Sequence, residues 1–234
     1  MRWARNRKYS PDALRGLLEK HFGRAILGDS SVRLAIPSYD LAADDVHLFR
    51  TPHHLDLRRD WRESVVDVAM ATAAAPTYLP VAHVRSHRFT DGGVWANNPT
   101  MVGIAEVVDR LNGSLERIKV LSVGTATELM DRDHRLDTGG LWAWRQDALN
   151  IALRGQSLAT TNYARLLIGR SNLVRVNVPI PVGRHSLDSV DAGDLIAKAG
   201  AASRNSSPQI APLLQHQPSV YYPVHIKESP NAKP

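Results

Sequence analysis

"FTDGGVWANNP", residues 89–99, places Asp91 directly before two glycines and ends in two asparagines and a proline. The residues from His87 to the aspartate are typical of a short strand that ends in a turn. Asn98 and Pro99 are the cap and first-turn residues expected where a helix begins, and the apolar spacing that follows continues that helix. The stretch therefore predicts a strand, a sharp corner that carries a carboxylate, and a helix.

Helical patterns recur on both sides of this corner. Residues 9–23 predict a short amphipathic helix with Ser10 as its N-cap, Pro11 at its first position and Gly23 as its stop. Residues 62–76 predict a buried helix that ends before a proline. Later helices are predicted at residues 141–167, with a break near Gly155, and from residue 191.

Strands alternate with these helices. Residues 31–41 and 45–50 predict two strands, and Pro37 indicates an edge strand or a bulge. Residues 118–125 predict a strand buried on both faces, and residues 172–178 predict another. The alternation predicts an α/β fold with a largely parallel central sheet.

Composition limits the classes of function. The chain has 234 residues, of which 43% are hydrophobic, so we expect one domain, residues 1–202, followed by a Pro/Ser-rich C-terminal tail, residues 203–234. The net charge of +6 favours acidic surfaces, but no aromatic residues alternate with the basic ones, so we expect no nucleic-acid site. Export and membrane-spanning patterns are missing, which favours a cytoplasmic protein that touches membranes only peripherally. Cysteine is absent, so sulfur-based metal sites are excluded.

Four segments resemble one known family in their order and spacing. They are the helix of residues 9–23, the Ala-Ala-Pro helix "MATAAAPTYLP" of residues 70–80, the corner "FTDGGVWANNP" and the strand "IKVLSVGTA" of residues 118–126. In this order they resemble the patatin-like phospholipase family. The resemblance implies a patatin-like three-layer α/β fold and a serine acyl hydrolase of the phospholipase A or lipase type. It implies no cofactor and no metal.

The resemblance also implies a Ser-Asp dyad without a histidine, and it assigns the catalytic base to Asp91 within the motif Asp91-Gly92-Gly93. A serine hydroxyl needs a base within hydrogen-bond reach, and an aspartate serves as that base only when it is partly desolvated and fixed in position. We expect the two glycines to turn the chain sharply and to leave the carboxylate unshielded.

The nucleophile of that dyad is missing from the sequence. No Gly-x-Ser-x-Gly and no Gly-x-Gly occurs, and the nearest sequences, at Ser157 and at Ser30 and Ser31, lack the second glycine. We therefore expect the C-terminal portion of a patatin-like domain without the glycine-rich loop, the serine elbow and the N-terminal strands, which are lost by truncation, excluded by a mis-assigned start or carried by another polypeptide. Such a chain is predicted to be inactive alone, and either to be poorly soluble or to pair with a partner chain that covers the missing sheet edge.

Other interpretations stay open at this stage. Asp91 alone is also typical of a turn in which the carboxylate bonds its own backbone two residues on. Two further candidate sites are predicted to be solvated surface: the histidines His83 and His87, and the acidic segment of residues 131–137. Adjacent His53 and His54 are predicted to face apart and to share no metal. The main rival to a lipid acyl hydrolase acting on a lipid ester or phospholipid is a non-catalytic interaction or membrane-surface-binding module of the same fold.

Overall fold

The computed structural model describes residues 8–129, 134–181, 193–217 and 220–224. Within these ranges the chain forms six α-helices and eight β-strands. The helices are α1 Asp12–Phe22, α2 Val65–Thr72, α3 Gly93–Ala96, α4 Thr100–Leu111, α5 Leu141–Ile168 and α6 Gly193–Leu214. The strands are β1 Ala35–Asp40, β2 Asp45–Arg50, β3 Ala82–Val84, β4 His87–Asp91, β5 Val120–Val123, β6 Thr127–Leu129, β7 Leu173–Val176 and β8 Pro179–Pro181.

The described residues divide into two compact units, and each unit has its own sheet arrangement. Both units combine helices and strands, so the prediction of an α/β class is confirmed. The first unit runs to Asn112 and includes residues 220–224, and the second runs from Gly113 to residue 217. In the first unit the strand order is β2-β1-β4-β3. Its core is formed by Leu27, Phe49, Val68, Ala71, Val84 and Phe89.

The four-stranded sheet of the first unit is antiparallel throughout, which corrects the prediction of a largely parallel central sheet. Residues 41–44 alone connect β1 to β2, and residues 85 and 86 alone connect β3 to β4. Connections this short reverse the chain, whereas parallel neighbours need a long crossover. The sequence pattern showed alternating elements but did not show which strands would become neighbours.

Pro37 lies in an interior strand, so the edge prediction was wrong. Strand β1 pairs with β2 along its whole length, but its pairing with β4 covers only Ser38 to Asp40. Pro37 therefore stands just outside the stretch that is flanked on both sides. Proline has no amide hydrogen to donate, but β4 does not pair with this position, so no hydrogen bond to β4 is lost. This is why an interior strand tolerates the proline.

The second unit contains two short parallel pairs, β5 with β7 and β6 with β8. Strand β5 was predicted to be buried on both faces, yet Val123 is 69% exposed. Helix α5 runs unbroken through Gly155, and α6 continues past Ser203 to Leu214 with two prolines inside it. None of the helices in the described ranges is long and apolar enough to cross a membrane.

Candidate functional site

The predicted corner forms where β4 ends against the end of the buried helix α2. The amide of Asp91 donates a hydrogen bond to the Ala74 carbonyl oxygen at 3.0 Å. The hydroxyl of Thr90 donates to the same carbonyl at 2.8 Å. Helix α2 is apolar and largely buried through Val66, Val68, Met70 and Ala71, so the strand end is held by a rigid element.

The Asp91 carboxylate is half-buried and asymmetrically bonded. Its Oδ1 accepts a hydrogen bond from the Gly93 amide at 2.6 Å. Burial raises the pKa of Asp91, and the hydrogen bond from Gly93 offsets part of that rise. No residue in the described part of the chain donates a hydrogen bond to Oδ2 or forms an ion pair with Asp91. Oδ1 is thus fixed, whereas Oδ2 accepts no hydrogen bond from these residues.

Gly92 is required for space and not for an unusual backbone conformation. Gly92 has φ −61° and ψ −20°, which any residue adopts. A Cβ atom on Gly92 would lie 2.2 Å from the Pro37 carbonyl oxygen, and one on Gly93 would lie 3.0 Å from Asp91 Oδ1. The first glycine lets the corner pack against β1, and the second leaves room beside the carboxylate.

The helix after the corner begins one residue later than its sequence predicts, with Pro99 and not Asn98 at the N-cap position. Asn98 is 2% exposed, and its Oδ1 accepts hydrogen bonds from the Thr100 amide at 3.2 Å and the Thr100 hydroxyl at 2.7 Å. Helix α4 starts at Thr100, directly after Pro99. Trp95, in the short helix α3, donates from Nε1 to the Ser38 carbonyl oxygen at 2.9 Å. These bonds fix the corner from its far side.

Sequence reasoning missed Ser38, which is the cross-strand partner of Asp91 in the β1–β4 register. Ser38 is fully buried, at 0% exposure, and its Oγ donates to the carbonyl oxygens of Thr90 at 2.8 Å and Ala71 at 3.2 Å. A hydroxyl sealed from solvent and bonded to backbone carbonyls is a structural group. No sequence signal distinguished Ser38 from the other serines.

The serines singled out from the sequence lie in other elements of the chain than the corner. Ser157 lies inside helix α5, as predicted. Ser30 follows the 3-10 segment Leu27–Asp29, and its hydroxyl donates to the Val32 carbonyl oxygen at 2.8 Å. Among the described residues, no serine hydroxyl donates to the Asp91 carboxylate.

Neither His83 nor His87 pairs with Asp91. His87 Nδ1 pairs with Asp40 Oδ2, and His83 is exposed on β3. His54 lies beside Asp56, with 3.5 Å between Nδ1 and Oδ2. In the part of the chain that the structure describes, no three potential ligands cluster as a metal site. Of the acidic segment, residues 131–133 lie outside the described residues, and His134 pairs with Asp137 at 3.1 Å.

His53 belongs to a buried network that the sequence did not reveal. Its Nε2 lies 3.0 Å from Glu106 Oε1, and its Nδ1 lies 2.9 Å from the Thr51 hydroxyl. Arg50 Nε donates to the other oxygen of Glu106 at 3.0 Å. Burial alone would raise the pKa of Glu106, but the hydrogen bond from His53 and the charge of Arg50 hold that pKa below its usual value. The network joins β2 to α4, the helix that follows the corner.

Comparison with known proteins connects this architecture to lipid hydrolases. A family model described as patatin-like phospholipase matches residues 2–104, which include the whole corner. A cGAMP-activated phospholipase of Pseudomonas aeruginosa is 31% identical over 167 residues, which cover 70% of this chain and 50% of that protein. One of Escherichia coli is 33% identical over 51% of this chain and 36% of that protein. Patatin-like protein 2 of Arabidopsis thaliana is 28% identical over 50% of this chain and 34% of that protein. The matched part of the chain spans half or less of the length of these relatives.

Proposed function

Because residues 2–104 of this chain belong to the patatin-like phospholipase family, we propose that the protein supplies the base of a lipid acyl hydrolase that works with a Ser-Asp dyad. Asp91 is that base. The observation that carries the proposal is the state of its carboxylate: half-buried, with a raised pKa, one oxygen held by Gly93, and no described residue bonded to the other.

The chemistry follows from this geometry. A serine hydroxyl placed at Oδ2 of Asp91 would pass its proton to that oxygen while its own oxygen bonds to the acyl carbon of a lipid ester. The proton then leaves with the alcohol of the ester, and water cleaves the acyl-serine bond by the same exchange of protons. Desolvation strengthens the base because it raises the pKa of the carboxylate toward neutrality.

The serine and the oxyanion donors of this hydrolase lie outside these 234 residues, on the same polypeptide or on a partner. The sequence contains neither a Gly-x-Ser-x-Gly elbow nor a glycine-rich Gly-x-Gly loop. The names of the relatives suggest a phospholipid or related lipid ester as substrate, and cGAMP as a ligand to test for activation.

The test uses a fluorophosphonate probe for activated serines and an assay of fatty-acid release from phospholipid vesicles, with and without cGAMP. We expect the 234-residue chain alone to be neither labelled nor active. Produced together with any residues encoded in frame upstream, it should show both properties, and Asp91→Asn should lower kcat by roughly 10²- to 10⁴-fold.

The matched control is Asp45→Asn, which removes an exposed carboxylate from β2 and should leave both readouts unchanged. If the Asp91→Asn variant of an active protein still hydrolyses phospholipid at the unchanged rate, Asp91 takes no part in the mechanism. Labelling of the 234-residue chain by itself would reveal a nucleophile within it.

A second candidate function is a non-catalytic module that binds a membrane surface. The bond from the Gly93 amide to Asp91 favours it, because a purely structural turn makes the same bond. In that case, binding to anionic vesicles should weaken with salt and should be unaffected by Asp91→Asn. Hydrolysis that depends on Asp91 would decide against this candidate.

A further inference from the structure

Residues 54–62, "HLDLRRDWR", connect β2 to α2 and form what we call the arginine loop. Its three arginines, Arg58, Arg59 and Arg62, are all exposed. None of them has a carboxylate partner among the described residues, and the Nε of Arg58 donates a hydrogen bond to the Leu55 carbonyl oxygen at 3.1 Å. The positive charges of the loop are therefore directed to solvent.

The acidic residues of the loop are engaged elsewhere. Asp56 accepts a hydrogen bond from Arg110 Nη1 at 3.2 Å. The Asp60 side chain is only 17% exposed, and its Oδ1 lies 3.6 Å from His47 Nε2. Asp56 pairs with Arg110 of α4, and Asp60 is largely buried, so neither carboxylate forms an ion pair with the three arginines.

An apolar side chain stands beside this charge. Leu55 is 61% exposed. Arg62 lies over the ring of Trp61 at 4.0 Å, and Trp61 itself is only 8% exposed. The buried indole orients Arg62 without presenting an aromatic face to solvent.

We propose that the arginine loop docks this protein on anionic phospholipid surfaces, with Arg58, Arg59 and Arg62 against lipid phosphates and Leu55 in the headgroup region. Charge complementarity requires an anionic partner, and the exposed leucine gains from burial where the headgroups meet the acyl chains. Single-stranded nucleic acid would require exposed rings for stacking, and Trp61 is buried. The choice of lipid as partner rests in part on the proposed function.

The test measures binding to vesicles of ether-linked lipids, which contain no ester to hydrolyse, with roughly 20% anionic lipid. The salt concentration is low, about 0.01 M, where the Debye length is about 30 Å. Changing all three arginines of the loop to Gln should weaken binding on the order of 100-fold, at about fivefold for each arginine. The matched control removes three exposed cations elsewhere, with Lys20→Gln, Arg24→Gln and Arg88→Gln. Its binding should fall by less than about threefold.

Further variants separate the possible partners and protect the test from misfolding. Leu55→Ser should weaken binding to vesicles severalfold and leave binding to single-stranded DNA unchanged. If the triple variant fails to fold, the double variant Arg58→Gln with Arg59→Gln keeps Arg62 on Trp61 and should still weaken binding by about 25-fold.

Equal losses in the loop variant and the control would overturn the proposal, as would no binding to anionic vesicles at low salt. A loop-dependent affinity for DNA or for an acidic protein in place of vesicles would also overturn it. Because the lipids are not hydrolysable, the outcome is independent of whether Asp91 is a catalytic base.

Discussion

Gly92 lies so close to β1 that a Cβ atom at position 92 would stand 2.2 Å from the carbonyl oxygen of Pro37. The same glycine has ordinary helical backbone angles. It is therefore the distance between β1 and the end of β4, and not the direction of the turn, that requires glycine here. The contact positions the Asp91 carboxylate relative to the sheet.

Gly92→Ala should destabilise the protein by about 3 kcal/mol or more, because the backbone of β1 or of the corner must shift to admit the methyl group. Equilibrium urea unfolding measures this loss. Gly103→Ala is the matched control, since a Cβ atom there meets nothing within 4 Å and the residue lies inside α4. That change should stabilise by about 0.5–1 kcal/mol. Comparable stabilities for the two variants would disprove the close packing of the corner.

Asp91→Asn should unfold at a higher urea concentration than the parent protein near neutral pH. The folded state raises the pKa of Asp91, so its contribution to stability is fully present below the ordinary carboxyl pKa and is lost as the pH rises through the raised value. The extra stability of Asp91→Asn over the parent protein should therefore become smaller as the pH falls through that raised pKa. Unfolding curves at a series of pH values test this, and an advantage that is constant with pH would contradict it.

Ser38→Ala should cost about 1–2 kcal/mol, because the carbonyl oxygens of Thr90 and Ala71 lose a buried donor. Thr90→Val removes a comparable buried hydroxyl from the Ala74 carbonyl and should cost a similar amount. In an assembled hydrolase, fluorophosphonate labelling should survive Ser38→Ala. Loss of labelling with unchanged stability would instead identify Ser38 as the nucleophile.

Glu106→Gln should destabilise the protein by about 2 kcal/mol, because it removes the charge that accepts the hydrogen bond of Arg50 in a partly buried pair. The pKa of Glu106 is lowered in the folded state, so its stabilisation is present above the ordinary carboxyl pKa and is lost as the pH falls through the lowered value. The difference in the free energy of unfolding between Glu106→Gln and the parent protein should therefore become smaller in acid. Glu116→Gln, at an exposed position, should be close to neutral at every pH tested.

Local patterns predicted most elements of the first unit correctly. Helices α1, α2 and α4 lie within the segments that apolar periodicity predicted, although α1 and α4 each begin one residue later than predicted and α2 is shorter at both ends. These features depend on residues that are neighbours along the chain, so a sequence pattern captures them. The order of four motifs also predicted the family, which the match of residues 2–104 confirms.

Long-range contacts decided the rest. Residues adjacent in the chain predicted Asp91 on a corner between a strand and a helix. The antiparallel sheet beside it, the need for Gly92 to clear Pro37 and the burial of Ser38 beneath the corner became visible in the folded chain. Likewise, composition gave an excess of positive charge, but which carboxylates pair inward and which arginines face solvent depends on residues far apart in the chain. Register, burial and charge pairing arise when distant segments pack, and no spacing within one segment encodes them.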